Sequence, residues 1–271
     1  MSPVLGPSPS VYNPGMENEP AKIAEIDPAQ PHRGRGIYLL PNLFTTAALF
    51  AGFYAVLAAM NDQFEKAAIA IFLAMILDGL DGRVARLTNT QTAFGAEYDS
   101  LSDMVAFGLA PSLVMYEWAL STLGKLGWLA AFIYTAGAAL RLARFNSQLD
   151  TADKRFFTGL PSPSAAALIA GSVWVAVDNE LDGAVLAWPA LLLTAVAGLL
   201  MVSNLRYYSF KQVDLKWKVP FFTVVLVMLV FAVIVTQPPL VLFAIFFFYT
   251  LSGPVFGLQR YVRKLRRRPA P

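Results

Sequence analysis

The chain has no cysteine, and its single histidine, His32, lies in a polar N-terminal stretch. Disulfides and thiolate metal sites are therefore excluded. With neither thiol nor imidazole to offer, zinc chemistry has no donor set, and any bound metal should be a hard ion held by oxygens, Mg²⁺ or Mn²⁺. Charge is scarce as well. Only 14% of the 271 residues are charged and 56% are hydrophobic, against about 25% charged in an ordinary soluble chain. With a mean hydropathy of +0.54, this deficit excludes a sizeable soluble module and predicts a polytopic membrane protein. The net charge of +3 does not read as nucleic-acid binding, because the basic residues are spread between apolar runs.

What is present is organised around four acids in one short stretch. It reads Asp78-x2-Asp81-Gly82-x2-Ala85-Arg86-x8-Gly95-x3-Asp99-x3-Asp103. On a helix, Asp78, Asp81, Gly82 and Ala85 fall on one face, and Gly95, Asp99 and Asp103 fall on one face of the next helix. Two such stripes, facing each other, bring four carboxylates together among residues too small to block a ligand. One intramembrane carboxylate is already costly, and several together repel unless a cation lies among them. Four acids hydrogen-bonded to polar neighbours is the blander reading, and the matched spacing argues against it. The geometry by itself implies a metal site in a membrane.

Around this motif the chain divides simply. Residues 1–36 are proline-rich with no apolar run of signal-peptide length, and are expected to be a disordered cytosolic tail. Eight apolar stretches follow, at about 40–60, 65–87, 97–119, 125–146, 162–178, 184–203, 218–236 and 239–259, each near the roughly 20 residues that cross a bilayer. The fold expected is all-α, a transmembrane bundle of about eight spans over residues 37–260, ending in a basic cytosolic tail at 261–271. With both termini cytosolic, every lysine and arginine except Lys66 and Lys125 falls at an inner loop or helix end, which satisfies the positive-inside rule. The same orientation puts the motif at a cytosolic end. The last two spans contain no buried charge and read as scaffold.

The motif resembles the signature of the CDP-alcohol phosphotransferases, with no position missing. That resemblance implies transfer of a phosphatidyl group from a CDP-linked lipid to an alcohol with release of CMP. It implies that Asp78, Asp81, Asp99 and Asp103 surround metal, with Asp103 as catalytic base and a possible fourth ligand. Gly82, Ala85 and Gly95 are then small so that cytidine and its phosphates can approach, although small residues also serve helix packing. Arg86 could neutralise a phosphate or act as an orientation anchor; Arg83 faces elsewhere on the helix and suits the anchor role better.

Further stretches resemble the membrane-embedded phosphatidylserine synthase branch. They are Pro41-Asn42-Leu43-Phe44-Thr45, Asp99-Ser100-Leu101-Ser102-Asp103, Arg141-Leu142-Ala143-Arg144-Phe145-Asn146, Gly159-Leu160-Pro161-Ser162-Pro163 and Ser203-Asn204-Leu205-Arg206-Tyr207. The branch that uses glycerol 3-phosphate usually has proline after the third acid, where this chain has Ser100. The resemblance therefore implies CDP-diacylglycerol and L-serine as substrates, phosphatidylserine and CMP as products, a homodimer, and a bacterial inner (plasma) membrane location. Arg141, Arg144 and Asn146 are candidate serine-binding residues, since serine brings a carboxylate; an ordinary basic helix end is the alternative. Two other functions compete: transfer to another alcohol (glycerol 3-phosphate, inositol phosphate or choline), and cation transport through the intramembrane acids.

The basic-residue pattern makes a topological prediction. Cysteines introduced at Asn61 or Glu180 should label from outside intact cells, and cysteines at Gln91 or Gln212 only after permeabilisation. The reverse pattern at either pair overturns the eight-span arrangement.

Overall fold

A computed structural model describes residues 39–90, 92–147, 156–208 and 235–266, with a few helical positions between 225 and 233. The expected N-terminal tail, the end of the basic tail and most of the 218–236 stretch lie outside the described residues.

Described residues are mostly helical. Helix α1 covers Leu39–Ala59, α2 Phe64–Thr88, α3 Ala93–Asp103, α4 Ala110–Trp118, α5 Lys125–Ser147, α6 Ser162–Asp178, α7 Ala187–Val202 and α8 Pro238–Arg266. Each coincides with an apolar stretch of the sequence, α3 and α4 sharing one. Three segments are long and apolar enough to cross a membrane: Leu40–Ala59, Lys125–Ser147 and Pro238–Gln259. Helices α6 and α7 are apolar but shorter. The acids interrupt the hydropathy of α2 and α3. Helix α8 runs on to Arg266, so the basic segment begins inside the helix.

The packing suits a helix bundle in an apolar surrounding. Large apolar side chains point outward, among them Phe50 at 67% exposed, Leu101 at 67%, Leu199 at 64% and Phe248 at 68%. The interior is built largely of alanine, including Ala55, Ala67, Ala74, Ala106, Ala138, Ala165 and Ala166. Lipid tails are as apolar as leucine, so helices gain little from burying large side chains and much from close backbone approach. At Gly137 in α5 an added Cβ would strike the backbone carbonyl of Gly198 in α7. At Gly52 in α1 it would lie 2.7 Å from the Ala106 Cα.

Two features depart from an uninterrupted all-α bundle. Between α3 and α4, Met104–Leu109 forms a π-helical turn, immediately after Asp103. Pro111 in the first turn of α4 cannot return an α-helical bond to the Phe107 carbonyl. That carbonyl takes the buried Tyr134 hydroxyl at 3.1 Å, so the wide turn stays satisfied within the bundle. The second departure is a two-stranded antiparallel ribbon, where β1 (Phe156–Thr158) pairs with β2 (Arg206–Tyr208). Its residues are β-branched, aromatic or long, which suits a strand, and each strand is only three residues long, too short for a period-2 pattern to stand out in the sequence. The backbone pairing extends at Gly159, whose N–H donates to the Leu205 carbonyl at 2.8 Å with φ at +81°, a conformation glycine adopts without strain.

Gly137→Ala should lower the melting temperature in detergent by several degrees, because forced overpacking against backbone costs about 1–3 kcal/mol. Gly79→Ala, where the added Cβ meets nothing within 4 Å, should leave it unchanged or slightly raised. Equal melting of the two variants would show that the α5–α7 crossing is not held at that point.

Candidate active site

Helix α2 and the α3–π–α4 helix bring the acids together, with α1 laid along α2 and against α3. Carboxylate oxygens of Asp78, Asp99 and Asp103 all lie within 4.8 Å of one another. Asp78 and Asp103 are within hydrogen-bonding reach across the two helices. These three residues are half-buried and offer only oxygen donors, which fits a hard divalent ion. Among the described residues this is the one convergence of acids that could hold a metal.

Asp81 lies outside that group. It is 5% exposed and its Oδ2 accepts a hydrogen bond from Thr45 Oγ1 at 2.8 Å. Thr45, on α1, is itself 4% exposed, and its carbonyl accepts from Ser102 Oγ at 3.1 Å. One threonine thus links α1, the Asp81 turn of α2 and the residue beside Asp103.

Asp81 faces a cavity of about 230 Å³ lined by Pro41, Asn42, Thr45, Asp81, Gly82, Ala85, Arg86, Thr90, Thr92, Gly95, Ala96 and Asp99. Asp99 belongs to both the cavity and the carboxylate group, so the two parts form one bipartite site. All four residues expected to bind nucleotide, Gly82, Ala85, Arg86 and Gly95, line this cavity, whereas Arg83 does not. The reason for glycine differs at the two positions. A Cβ at Gly82 would meet nothing within 4 Å, so no neighbouring helix requires a small residue there; what the glycine keeps open is the cavity. A Cβ at Gly95 would lie 3.1 Å from Thr92 Oγ1 and 3.5 Å from Asn42 Oδ1.

The cavity rim is made by two helix ends. Helix α2 ends at Asn89 in the left-handed conformation, φ +52°. Helix α3 starts at Thr92, whose Oγ1 accepts from the Gly95 N–H at 3.0 Å. Its first turn therefore opens on the cavity beside Arg86, and a helix N-terminus with an adjacent guanidinium suits phosphate.

The three residues expected to bind serine are not brought to one point. Arg141 is the one at the acids. Its guanidinium is within electrostatic reach of Asp103, and its Nη1 donates to Ser162 Oγ at 2.7 Å. Its buried Nε has no hydrogen-bond partner. Arg144 is turned toward α7, with Nη1 3.5 Å from the Ser203 carbonyl and 3.4 Å from Asn204 Oδ1. Asn146 is exposed and donates to Ser100 Oγ at 3.0 Å, one residue from Asp99. Sequence reasoning assigned no role to Thr45, Asn42 or Ser162. The signal for the first two was available, because Pro41, Asn42 and Thr45 recur at helical spacing within an otherwise apolar helix.

A helix bundle with outward-facing apolar side chains, an all-oxygen acidic centre and an adjoining phosphate-suited cavity defines a membrane phosphotransferase. The chain belongs to the CDP-alcohol phosphatidyltransferase family, whose model it matches over residues 38–202. Similar proteins include two from strains of Helicobacter pylori. One is 43% identical over 198 residues, covering 71% of this chain and 81% of the relative. The other is 40% identical over 233 residues, covering 83% and 92%. A Mycobacterium leprae protein is 42% identical over 145 residues, covering 51% of this chain and 48% of its own length. All three bear the name CDP-diacylglycerol–serine O-phosphatidyltransferase.

Replacing Thr45 by valine keeps its shape and removes the hydroxyl from a buried carboxylate, a loss of about 1–3 kcal/mol. Thr45→Val should raise the KM for the CDP-linked lipid several-fold while the KM for the acceptor alcohol stays within twofold. An unchanged lipid KM would show that the Thr45–Asp81 contact is only structural.

Proposed function

We propose that this protein transfers the phosphatidyl group of CDP-diacylglycerol to L-serine, yielding phosphatidylserine and CMP. The observation that carries this reading is the meeting of Asp78, Asp99 and Asp103 beside a cavity lined by the motif's small residues and Arg86. The acceptor is suggested by the names of the relatives and by Arg141, whose buried Nε has no hydrogen-bond partner and whose guanidinium is within electrostatic reach of Asp103.

In this reading Asp78 and Asp99 would hold Mg²⁺ or Mn²⁺ with Asp103 converging on the same point chiefly as the base, and Asp81, restrained by Thr45, would contribute from the cavity side. A divalent cation held there would supply the positive charge that a diphosphate and a departing phosphate need. The cytidine and its phosphates enter the cavity, where Gly82, Ala85 and Gly95 leave room and Arg86 meets phosphate oxygen. Arg141 takes the serine carboxylate, which brings the serine hydroxyl toward Asp103. Asp103 accepts the hydroxyl proton as the serine oxygen bonds to the lipid-side phosphorus. The phosphoanhydride bond breaks, and CMP leaves with its electron pair. Arg144, held near Asn204, and Asn146, tied to Ser100, shape the outer edge of the acceptor side.

The remaining organisation follows the same proposal. The bundle spans a bacterial inner membrane about eight times with both termini and the site on the cytosolic side, and the protein works as a homodimer. Acids near a helix end beside a phosphate-suited cavity favour group transfer over a cation pathway, for which acids near the midplane of broken helices would be expected.

The test is incorporation of radiolabelled serine into lipid by purified protein given CDP-diacylglycerol and Mg²⁺ or Mn²⁺, repeated with glycerol 3-phosphate, inositol phosphate and choline. Serine should be the preferred acceptor, and incorporation should vanish with EDTA. Asp103→Asn should reduce turnover about 10²–10⁴-fold, the usual loss for a general base, while metal-dependent CDP-lipid binding stays within a few-fold. Asp78→Asn should weaken binding and turnover together. If Asp103→Asn loses binding as completely as Asp78→Asn, Asp103 is chiefly a metal ligand and the proton goes elsewhere.

A further inference from the structure

The family match ends at residue 202, yet the chain continues through β2 and α8, and these return to the level of Arg141. The return is held by specific contacts. Pro254 lies inside α8 and has no N–H, so the Thr250 carbonyl one turn earlier lacks its helical donor. The Tyr207 hydroxyl of β2 supplies one at 3.2 Å. Tyr207 is fully buried, and burial pushes its phenol up to about 12, so it remains a donor at working pH. Its ring fits against Gly253, where an added Cβ would strike the ring carbon. One residue along, the Tyr249 hydroxyl donates to the Tyr208 carbonyl at 3.1 Å, and the Tyr207 and Tyr249 ring centroids are 5.6 Å apart.

This latch reaches the site from two directions. Through β1 and Gly159 the ribbon leads directly into Ser162, the residue that accepts from Arg141 Nη1. From the opposite side, α8 packs along α6, which begins at Ser162. A long, flexible arginine needs a fixed partner such as Ser162 to hold one orientation.

We propose that the β1–β2 ribbon and α8 form a latch that sets the acceptor side of the site, with Tyr207 and Tyr249 fastening the ribbon that leads into Ser162 and so positioning the Arg141 guanidinium that Ser162 holds. The ligand so positioned is an alcohol with a carboxylate, and the proposal rests on the reading of Arg141 given above. Its consequence is selective. Loosening the latch weakens the acceptor and leaves the nucleotide cavity, which is lined only by residues of α1, α2, α3 and the α2–α3 turn, as it was.

The experiment measures KM for serine and for CDP-diacylglycerol separately in Tyr249→Phe, which keeps the ring and loses the bond to Tyr208, and in Tyr207→Phe, which abandons the Thr250 carbonyl. Each should raise serine KM about five- to tenfold, the effect of losing one positioning hydrogen bond, with the lipid KM within twofold. Phe248→Ala, on the exposed side of α8, is the control and should move neither. Should one tyrosine variant fail to accumulate, the other decides. The proposal is overturned if serine KM stays within twofold of the parent, or if both KM values rise together. The acceptor panel run on the parent separates the two readings: where another alcohol is preferred, the serine assignment fails, and the KM for that alcohol becomes the quantity on which the latch is judged.

Discussion

Carboxylates placed together in a charge-poor helix bundle repel one another strongly, because the surrounding medium screens little. Everything around Asp78, Asp81, Asp99 and Asp103 can be read as an answer to that repulsion. Three of the acids converge within 4.8 Å on a point that a cation can occupy. The fourth, Asp81, is withdrawn from that point and satisfied by a buried threonine hydroxyl. Arg141 brings a fixed positive charge to the remaining side of Asp103.

The backbone obeys the same rule in neutral form. Where water is excluded, a carbonyl released by a break in the helix must find a donor inside the protein. Two prolines create that need, and a tyrosine meets it each time: Tyr134 at Phe107, one turn before Pro111, and Tyr207 at Thr250, one turn before Pro254. The first pair stabilises the wide turn immediately after Asp103. The second fastens the terminal helix to the ribbon. Both of these breaks are closed by a buried phenol.

Much of this was legible in the sequence because helical periodicity is a strong signal. The acid-and-glycine spacing placed Gly82, Ala85, Arg86 and Gly95 together, and these residues line one cavity. The apolar stretches located the helices. Periodicity could not separate Asp78 from Asp81, because both fall on the same broad face and only the position of α1 divides them. Thr45 was seen as part of a familiar stretch, but a threonine in an apolar helix can equally bond its own backbone, as Thr45 also does to the Pro41 carbonyl. The ribbon was invisible because three residues are too few to show alternation. Arg141 and Arg144 fall three residues apart on the helix with Asn146 following, and the contacts that distinguish them come from α6, from residues 203–204 and from Ser100.

Charge alone says little about α8. No acid or base marks its middle, and its aromatic run resembles lipid-facing packing, as Phe248 is. The informative residues are Gly253 and Pro254, which in a membrane helix usually mean a break or a close approach. Both occur here, at the turn where Tyr207 docks. A segment outside the matched residues 38–202 is thus tied by Tyr207 and Tyr249 to the ribbon that leads into Ser162, the partner of Arg141.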